Sequence, residues 1–152
     1  MRLISLLFPV KIGEIKRFYL SGADGNEMYS GYHCSLTLGK DGAYTAEYKP
    51  SGLPDDKAFK KQVGADFADK LCTLMDDKRI GRWNGFKKHN RMVMDGTGFG
   101  LDVYFTNGKS IRASGYMKWP SGYGSFEGTV AGMFKSLYES EIKANEQENS
   151  LL

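Results

Sequence analysis

The residues from 78 to 91 form the densest group of charged and aromatic side chains in the sequence. This stretch contains six Lys or Arg residues and no acidic residue, with Trp83 and Phe86 between them. Cationic side chains bind phosphates and aromatic rings stack on bases, which is how many proteins hold single-stranded nucleic acid. The sequence therefore predicts a site for a polyanion or nucleic acid, built from Arg82, Trp83, Lys87, Lys88, His89 and Arg91. The alternative is a solvated basic loop that its two aromatic residues anchor to the core.

A second candidate site is the loop from Tyr116 to Tyr123, where Trp119 and Tyr123 flank proline and glycine residues. Large, rigid aromatic side chains bury much area on binding at a low entropic cost. We therefore predict that Trp119 and Tyr123 anchor another protein. An equally good alternative is that the loop covers the end of a sheet and that its aromatic residues belong to the core.

Catalytic groups are sparse, because His33 and His89 are the only histidines. We expect His33 on the polar face of a strand, where the adjacent Cys34 points to the opposite face and cannot readily be activated by it. An enzyme would have to work through carboxylates such as Asp95 and Asp102. This is the third of our hypotheses, and the sequence favours a protein that is not an enzyme.

Neither a metal site nor a cofactor is indicated by the sequence. Two histidines and two cysteines are too few for a site of recognised ligand spacing, although a carboxylate-only metal site stays open. Glycines at 96, 98 and 100 precede a predicted strand, whereas a phosphate-binding glycine loop follows one. We therefore predict no cofactor.

Length and composition are those of a folded protein with one core. The 152 residues include 41% hydrophobic and 26% charged residues, and the net charge is only +3, well below that of a dedicated nucleic-acid binder. We predict one domain over residues 1–142 and a polar, disordered tail over 143–152. Two cysteines exclude a disulfide framework, and we expect both Cys34 and Cys72 to be buried thiols.

The N-terminal apolar run over residues 3–10 makes a poor signal peptide. It is short, Pro9 interrupts it, and charged residues follow without a typical cleavage site. No segment has the roughly 20 apolar residues needed to span a bilayer. We therefore expect a cytoplasmic protein with no membrane partner.

Alternating apolar residues predict two β-hairpins. The first turns at Asp41-Gly42 and carries Tyr44, Ala46 and Tyr48 opposite Tyr32, Cys34, Leu36 and Leu38. The second turns at Asn107-Gly108 and has these apolar positions on one face: Phe99, Leu101, Val103, Phe105, Ile111, Ala113, Gly115 and Met117. A strand from Ile12 to Leu20 and a short edge strand from Phe59 to Val63 complete the prediction.

Two amphipathic helices are predicted, over residues 65–77 and 125–141. The first has Phe67, Leu71, Leu74 and Met75 on one face. The second starts at Ser125 as N-cap, and we interpret its Gly128 and Gly132 as points of close approach to the sheet. The fold class is therefore α+β, with an antiparallel sheet of five to seven strands in hairpins and both helices packed on one face.

Several short motifs in the second half follow one another in a fixed order. They are Arg82–Phe86, Met94–Gly96, Gly100–Phe105, Asn107–Lys109, Ala113–Gly115 and Trp119-Pro120. This order resembles a widespread bacterial family of small proteins with a Trp-x-Gly-Phe motif, an Asp-Gly turn, a hairpin, a Ser-Gly and an aromatic-proline step. The resemblance covers residues 65–138 and departs from the family at Phe99 or Gly100, where another tryptophan is expected. It implies a fold and a bacterial origin, but no activity, cofactor or site residue.

The sequence as a whole favours a non-catalytic protein-interaction module whose ligand is another protein. A polyanion or nucleic-acid binder that uses residues 78–91 is the main alternative.

Overall fold

The computed structural model describes residues 9–24, 31–92 and 96–151, and side chains are described for all of these except 23 and 24. The described residues form seven strands and two α-helices, which confirms the α+β class. Two short 3-10 helices span Asp55–Lys57 and Ile80–Trp83. The strands and α-helices are β1 (Ile15–Asp24), β2 (Tyr32–Leu38), β3 (Tyr44–Lys49), β4 (Phe59–Val63), α1 (Ala65–Asp77), β5 (Lys87–His89), β6 (Thr97–Phe105), β7 (Ser110–Tyr116) and α2 (Tyr123–Ser150).

All seven strands belong to one sheet, in the order β4-β3-β2-β1-β6-β7-β5. Neighbouring strands are antiparallel except β5, which pairs in parallel with β7. Strand β4 lies at one edge, as the sequence predicts, and β5 lies at the other. The sequence predicts a loop that leads into a strand here, because Lys87, Lys88 and His89 lack the apolar alternation that marks a strand, and the structure instead forms β5 at these residues.

The core follows the alternation of apolar residues in the strands. Leu101 and Val103 of β6 pair with Leu20 and Phe18 of β1, and all four side chains are fully buried. Opposite them in the core, Phe126 of α2 contacts the ring of Phe18, with 6.5 Å between the ring centroids. The buried residues of sheet and helices form one cluster.

Helix α1 has the predicted bounds, with Leu71 and Met75 fully buried. Its Phe67 contacts Phe134 of α2 edge to face, with 5.1 Å between the ring centroids. No helix of the described residues is long and apolar enough to cross a membrane.

Helix α2 differs from the prediction in three respects. It begins at Tyr123 with Gly122 at its N-cap, so Ser125 is not the N-cap. It continues to Ser150, where we predicted a disordered tail; the tail is rich in Lys, Glu, Gln and Ala, which favour helix even when fully exposed. The prediction for Gly128 and Gly132 is wrong, because both are exposed and, apart from the neighbouring backbone of α2 itself, no described atom lies within 4 Å of a Cβ built on either residue.

Candidate binding site

A cavity of about 590 Å³ lies where β1, β2, β6 and the start of α2 meet. It is partly open to solvent, and Trp119 and Tyr123, the two residues of the predicted protein anchor, both line it. The other described lining residues are Gly22, Tyr32, Ser51, Thr97, Gly98, Pro120, Gly122, Gly124 and Glu127. The structure thus brings the predicted anchor together with residues from three strands and with Glu127 of α2.

The Glu127 carboxylate is the centre of the polar part of this cavity. Tyr32 donates a hydrogen bond from its hydroxyl to Glu127 Oε2 at 2.7 Å, and Tyr123 donates to the same oxygen at 2.9 Å. Hydrogen bonds to an ionised acceptor are stronger than neutral ones and fix its orientation. The two tyrosines therefore hold the carboxylate in one place, at the junction of sheet and helix.

Both phenols retain their protons in this arrangement. Burial raises the pKa of Tyr32 above its ordinary value, and the hydrogen bond to Glu127 raises it further. The pKa of Tyr123 is also raised, by burial and by the charge of Glu127. Near neutral pH, Tyr32 and Tyr123 therefore act as hydrogen-bond donors to the carboxylate, and neither can serve as a general base.

Cys34 is the nucleophilic side chain whose pKa responds to this carboxylate. It is fully buried on β2, and burial followed by the charge of Glu127 raises the pKa of its thiol to about 12. A thiol with so high a pKa is almost entirely protonated near neutral pH and is a poor nucleophile. Cys34 is therefore a packed core residue, while Cys72 is half-buried, in contrast to our expectation of two buried thiols.

A glycine opposite Tyr32 makes room for its ring. Gly22 on β1 is the cross-strand partner of Tyr32, and a Cβ built on Gly22 would lie 2.5 Å from an atom of the Tyr32 ring. Real Cβ atoms do not approach other atoms so closely, so the ring can lie across β1 only because residue 22 has no side chain. This close approach directs the Tyr32 hydroxyl toward α2.

Trp119 is the exposed part of the site, with 41% of its surface accessible. The chain reaches it through Met117, which has a left-handed backbone with φ of 53° directly after β7. Non-glycine residues adopt this conformation uncommonly, and such residues cluster at functional sites. Tyr123 lies deeper, with its ring 4.4 Å from that of Phe99 between centroids.

The fold separates the aromatic side chains of residues 78–91 from the basic side chains of the same stretch. Trp83 is buried, with only 6% of its surface accessible, and its ring contacts Phe126 and Tyr123. Phe86 is half-buried and packs against the core. Trp83 is therefore not placed to stack on a base, which removes the strongest aromatic element of the predicted nucleic-acid site.

The cationic residues of the stretch lie in two places. Lys87, Lys88, His89 and Arg91 line a shallow groove of about 500 Å³ along β5 and the end of β7. The ring of His89 lies 4.7 Å from that of Tyr116 between centroids. Arg82 instead lines a different depression, together with Asp76 and Arg79.

Of the other residues considered for chemistry, Asp102 and His33 make ordinary contacts with neighbouring side chains. Asp102 accepts a hydrogen bond from Arg112 Nε at 3.1 Å, and Asp95 lies outside the described residues. His33 Nε2 lies 3.5 Å from Glu47 on the neighbouring strand. Among the described residues, no three His, Cys, Asp or Glu side chains are grouped so that they could hold a metal ion.

The sequence alone did not identify Tyr32 or Glu127 as residues of the candidate site. Tyr32 was assigned only to the apolar face of a strand, and Glu127 lay next to the apolar face of a helix without a partner in sequence. The predicted strand ends at Leu20, whereas β1 continues to Asp24 and includes Gly22, and a glycine within a strand often marks the close approach of another group. Its partner could not be identified without the strand register.

No protein-family model matches the chain, and no curated protein matches it significantly.

Proposed function

We propose that this protein is a non-catalytic interaction module that binds another protein through the cavity between Trp119 and Glu127. The half-exposed Trp119 at the rim of that cavity is the observation that carries the proposal. A tryptophan beside a concave, largely apolar surface is typical of the anchor residues that dominate protein interfaces. The scaffold we infer is a sheet of hairpins with both helices on the same face, with the cavity at one end.

The state of the polar groups also favours binding over catalysis. The phenols of Tyr32 and Tyr123 have raised pKa values and donate to Glu127, and Cys34 is protonated and buried. These groups are fixed for recognition and are not tuned to transfer a proton near neutral pH.

Affinity capture with three proteins tests the proposal: the wild type, Trp119→Ala and Tyr104→Ala. Tyr104 is the matched control, because it is an aromatic residue of similar exposure (36%) on β6 that does not line the cavity. We expect a discrete protein that is bound by the wild type and by Tyr104→Ala, and lost with Trp119→Ala. Equal capture by all three would contradict the proposal.

A fluorescence measurement complements the capture. In a Trp83→Phe background, emission comes from Trp119 alone, since the chain has two tryptophans. Acrylamide should quench this emission in the free protein, and the captured partner should protect it. Emission that resists acrylamide without a partner would exclude Trp119 as a contact residue.

A second candidate function is polyanion binding at the groove along β5. The observation that favours it is the convergence of Lys87, Lys88, His89 and Arg91 on one groove without any acidic side chain among the described lining residues. Phosphate contacts make binding strongly salt-dependent, at nearly one unit of log-log slope for each contact.

Heparin chromatography tests this second function. Lys87→Glu with Lys88→Glu should lower the salt concentration needed for elution and reduce the salt slope by about two. The control is Lys57→Glu with Lys60→Glu, which makes the same change in net charge at the opposite edge of the sheet, where both residues are exposed. An equal effect of the two pairs would mean that heparin senses net charge only.

A further inference from the structure

Glu127 is an exception among the partly buried acids of this protein. Four acidic side chains of the described residues are half-buried: Glu47, Asp102, Glu127 and Glu141. Asp102 lies within 4 Å of Arg112 and Glu141 within 4 Å of Lys61, while Glu47 lies 3.5 Å from His33 Nε2. Within the described parts of the chain, Glu127 has no such partner and is held only by two phenols.

A partly buried carboxylate without a cation is costly, and a charged group of this kind in a cleft is a candidate for a ligand-binding group. Glu127 is also the only charged side chain among the described residues that line the cavity. The cavity therefore has a fixed negative charge and no positive side chain opposite it, which is the electrostatic complement of a cation.

The rest of the cavity suits a cation with an apolar stem. Trp119, Tyr32 and Tyr123 line it, and the face of an aromatic ring attracts a positive charge. Because both phenols donate their protons to Glu127, their oxygens face a ligand as acceptors only. Lysine and arginine side chains combine donors without acceptors with a methylene stem that packs on apolar surface.

An anionic ligand is the alternative to consider, since the N-terminus of α2 also lies at the cavity through Gly122 and Gly124. A helix N-terminus has the effect of about half a positive charge. The full charge of Glu127 exceeds it, so an anion in the cavity would meet net repulsion. The balance of charge favours a cation.

We infer that the cavity receives a lysine or arginine side chain of the partner protein, with its charged group against Glu127 and its stem against Trp119. This inference rests on the proposed function and specifies the chemistry of the partner. Such contacts act as anchors in protein interfaces, because the charged pair is partly desolvated and packed by an aromatic ring.

Short defined peptides test the inference. The probes are acetyl-Gly-X-Gly-amides in which X is Lys, Arg, norleucine or Glu, and binding is followed by Trp119 emission in the Trp83→Phe background. We expect the Lys or Arg peptide to bind about tenfold more tightly than the norleucine peptide, which corresponds to about 1.4 kcal/mol. Norleucine keeps the stem of lysine and removes its charge.

Glu127→Gln should abolish this preference, because the amide keeps an oxygen that accepts from the phenols but has no charge. Glu139→Gln is the matched control, since Glu139 is exposed on the same helix and does not line the cavity. We expect Glu139→Gln to keep the tenfold preference and Glu127→Gln to lose it.

Three outcomes would overturn the inference: equal binding of the norleucine peptide, tighter binding of the Glu peptide, or no binding of any peptide up to about 10 mM. The proposed function would survive each of them if capture of a protein still depended on Trp119. Loss of that dependence would contradict the proposed function itself, whatever the peptides do.

Discussion

Two regions of this protein combine aromatic and charged side chains, and the fold uses them in opposite ways. In the cavity, Trp119 is 41% exposed, and the half-buried Tyr32 and the buried Tyr123 hold the carboxylate of Glu127. Along β5, the lysine side chains are exposed, whereas the tryptophan of the same stretch, Trp83, is buried in the core. The first region is concave and acidic, and the second is shallow and basic.

The difference shows that neighbouring aromatic and basic residues in a sequence do not form a binding surface unless the backbone exposes both. Residues 80–83 form a 3-10 helix that turns Trp83 into the core, and β5 then exposes Lys87 and Lys88 at the sheet edge. The cavity, in contrast, is assembled from segments far apart in the chain.

The two tryptophans should differ most. Trp83→Ala removes a buried ring that contacts Phe126 and Tyr123, so we expect the free energy of unfolding to fall by about 3–5 kcal/mol. Trp119→Ala removes a half-exposed ring and should cost less than about 1 kcal/mol. Urea denaturation measures both values. Similar losses for the two variants would mean that the contrast in burial is wrong.

The fold itself was largely predictable, because the alternation of apolar residues in β2, β3, β6 and β7 is a local signal. Helix α1 was predicted to the residue from the spacing of its apolar face. Strand β5 was not predictable, since its three residues carry no alternation and depend on pairing with β7. Local pattern thus predicts elements that bury their own apolar face.

The site was only half predictable. Trp119 and Tyr123 are near in sequence and were identified together, but Tyr32 and Glu127 are 95 residues apart and meet only through the fold. The burial of Trp83 could not be predicted either, because the sequence of a basic loop does not indicate whether its aromatic side chain points to the core or to solvent.

Gly22→Ala should disturb the packing of the cavity and leave the groove along β5 unchanged. The new methyl group would lie 2.5 Å from the Tyr32 ring, which must rotate and lose its hydrogen bond to Glu127. We expect a loss of about 1–3 kcal/mol in the free energy of unfolding. Heparin elution should stay unchanged, because the substitution is far from β5 in the sheet order.

A double-mutant cycle checks the cause of that loss. Tyr32→Phe removes the same hydrogen bond, so Gly22→Ala should cost less in a Tyr32→Phe background than in the wild type. Additive losses would show that the cost comes from the contact with the ring itself and not from the lost hydrogen bond, because phenylalanine keeps the ring atoms that the new methyl group meets.

Alkaline pH should destabilise the protein through groups at the cavity. Tyr32, Tyr123 and Cys34 all have raised pKa values in the folded state. They therefore contribute stability that is fully present below their unfolded pKa values and is lost as pH rises, because the unfolded chain releases these protons first. For Cys34 the window runs from pH 9.0 to about 12.

Urea denaturation at a series of pH values measures the effect. The free energy of unfolding should fall as pH rises above about 9, and above about 10 the fall should be shallower in Tyr32→Phe, which lacks one of the titrating groups. An identical slope in the two proteins would show that Tyr32 titrates alike in the folded and unfolded states.

Two glycines with open surroundings should give the smallest effects, of opposite sign. Apart from adjacent backbone, no atom of the described residues lies within 4 Å of a Cβ built on Gly85, just before β5, or on Gly128, beside Glu127 on α2. Gly85 has a φ of +87°, so alanine there should cost about 1–2 kcal/mol of backbone strain. Gly128 is helical, and alanine there should stabilise the protein by about 0.5–1 kcal/mol.

Thermal unfolding measures both effects. The midpoints should move in opposite directions, with peptide binding unchanged in Gly128→Ala. Destabilisation by Gly128→Ala would mean that another part of the protein covers this face of α2, which would make the cavity more enclosed than the described residues indicate.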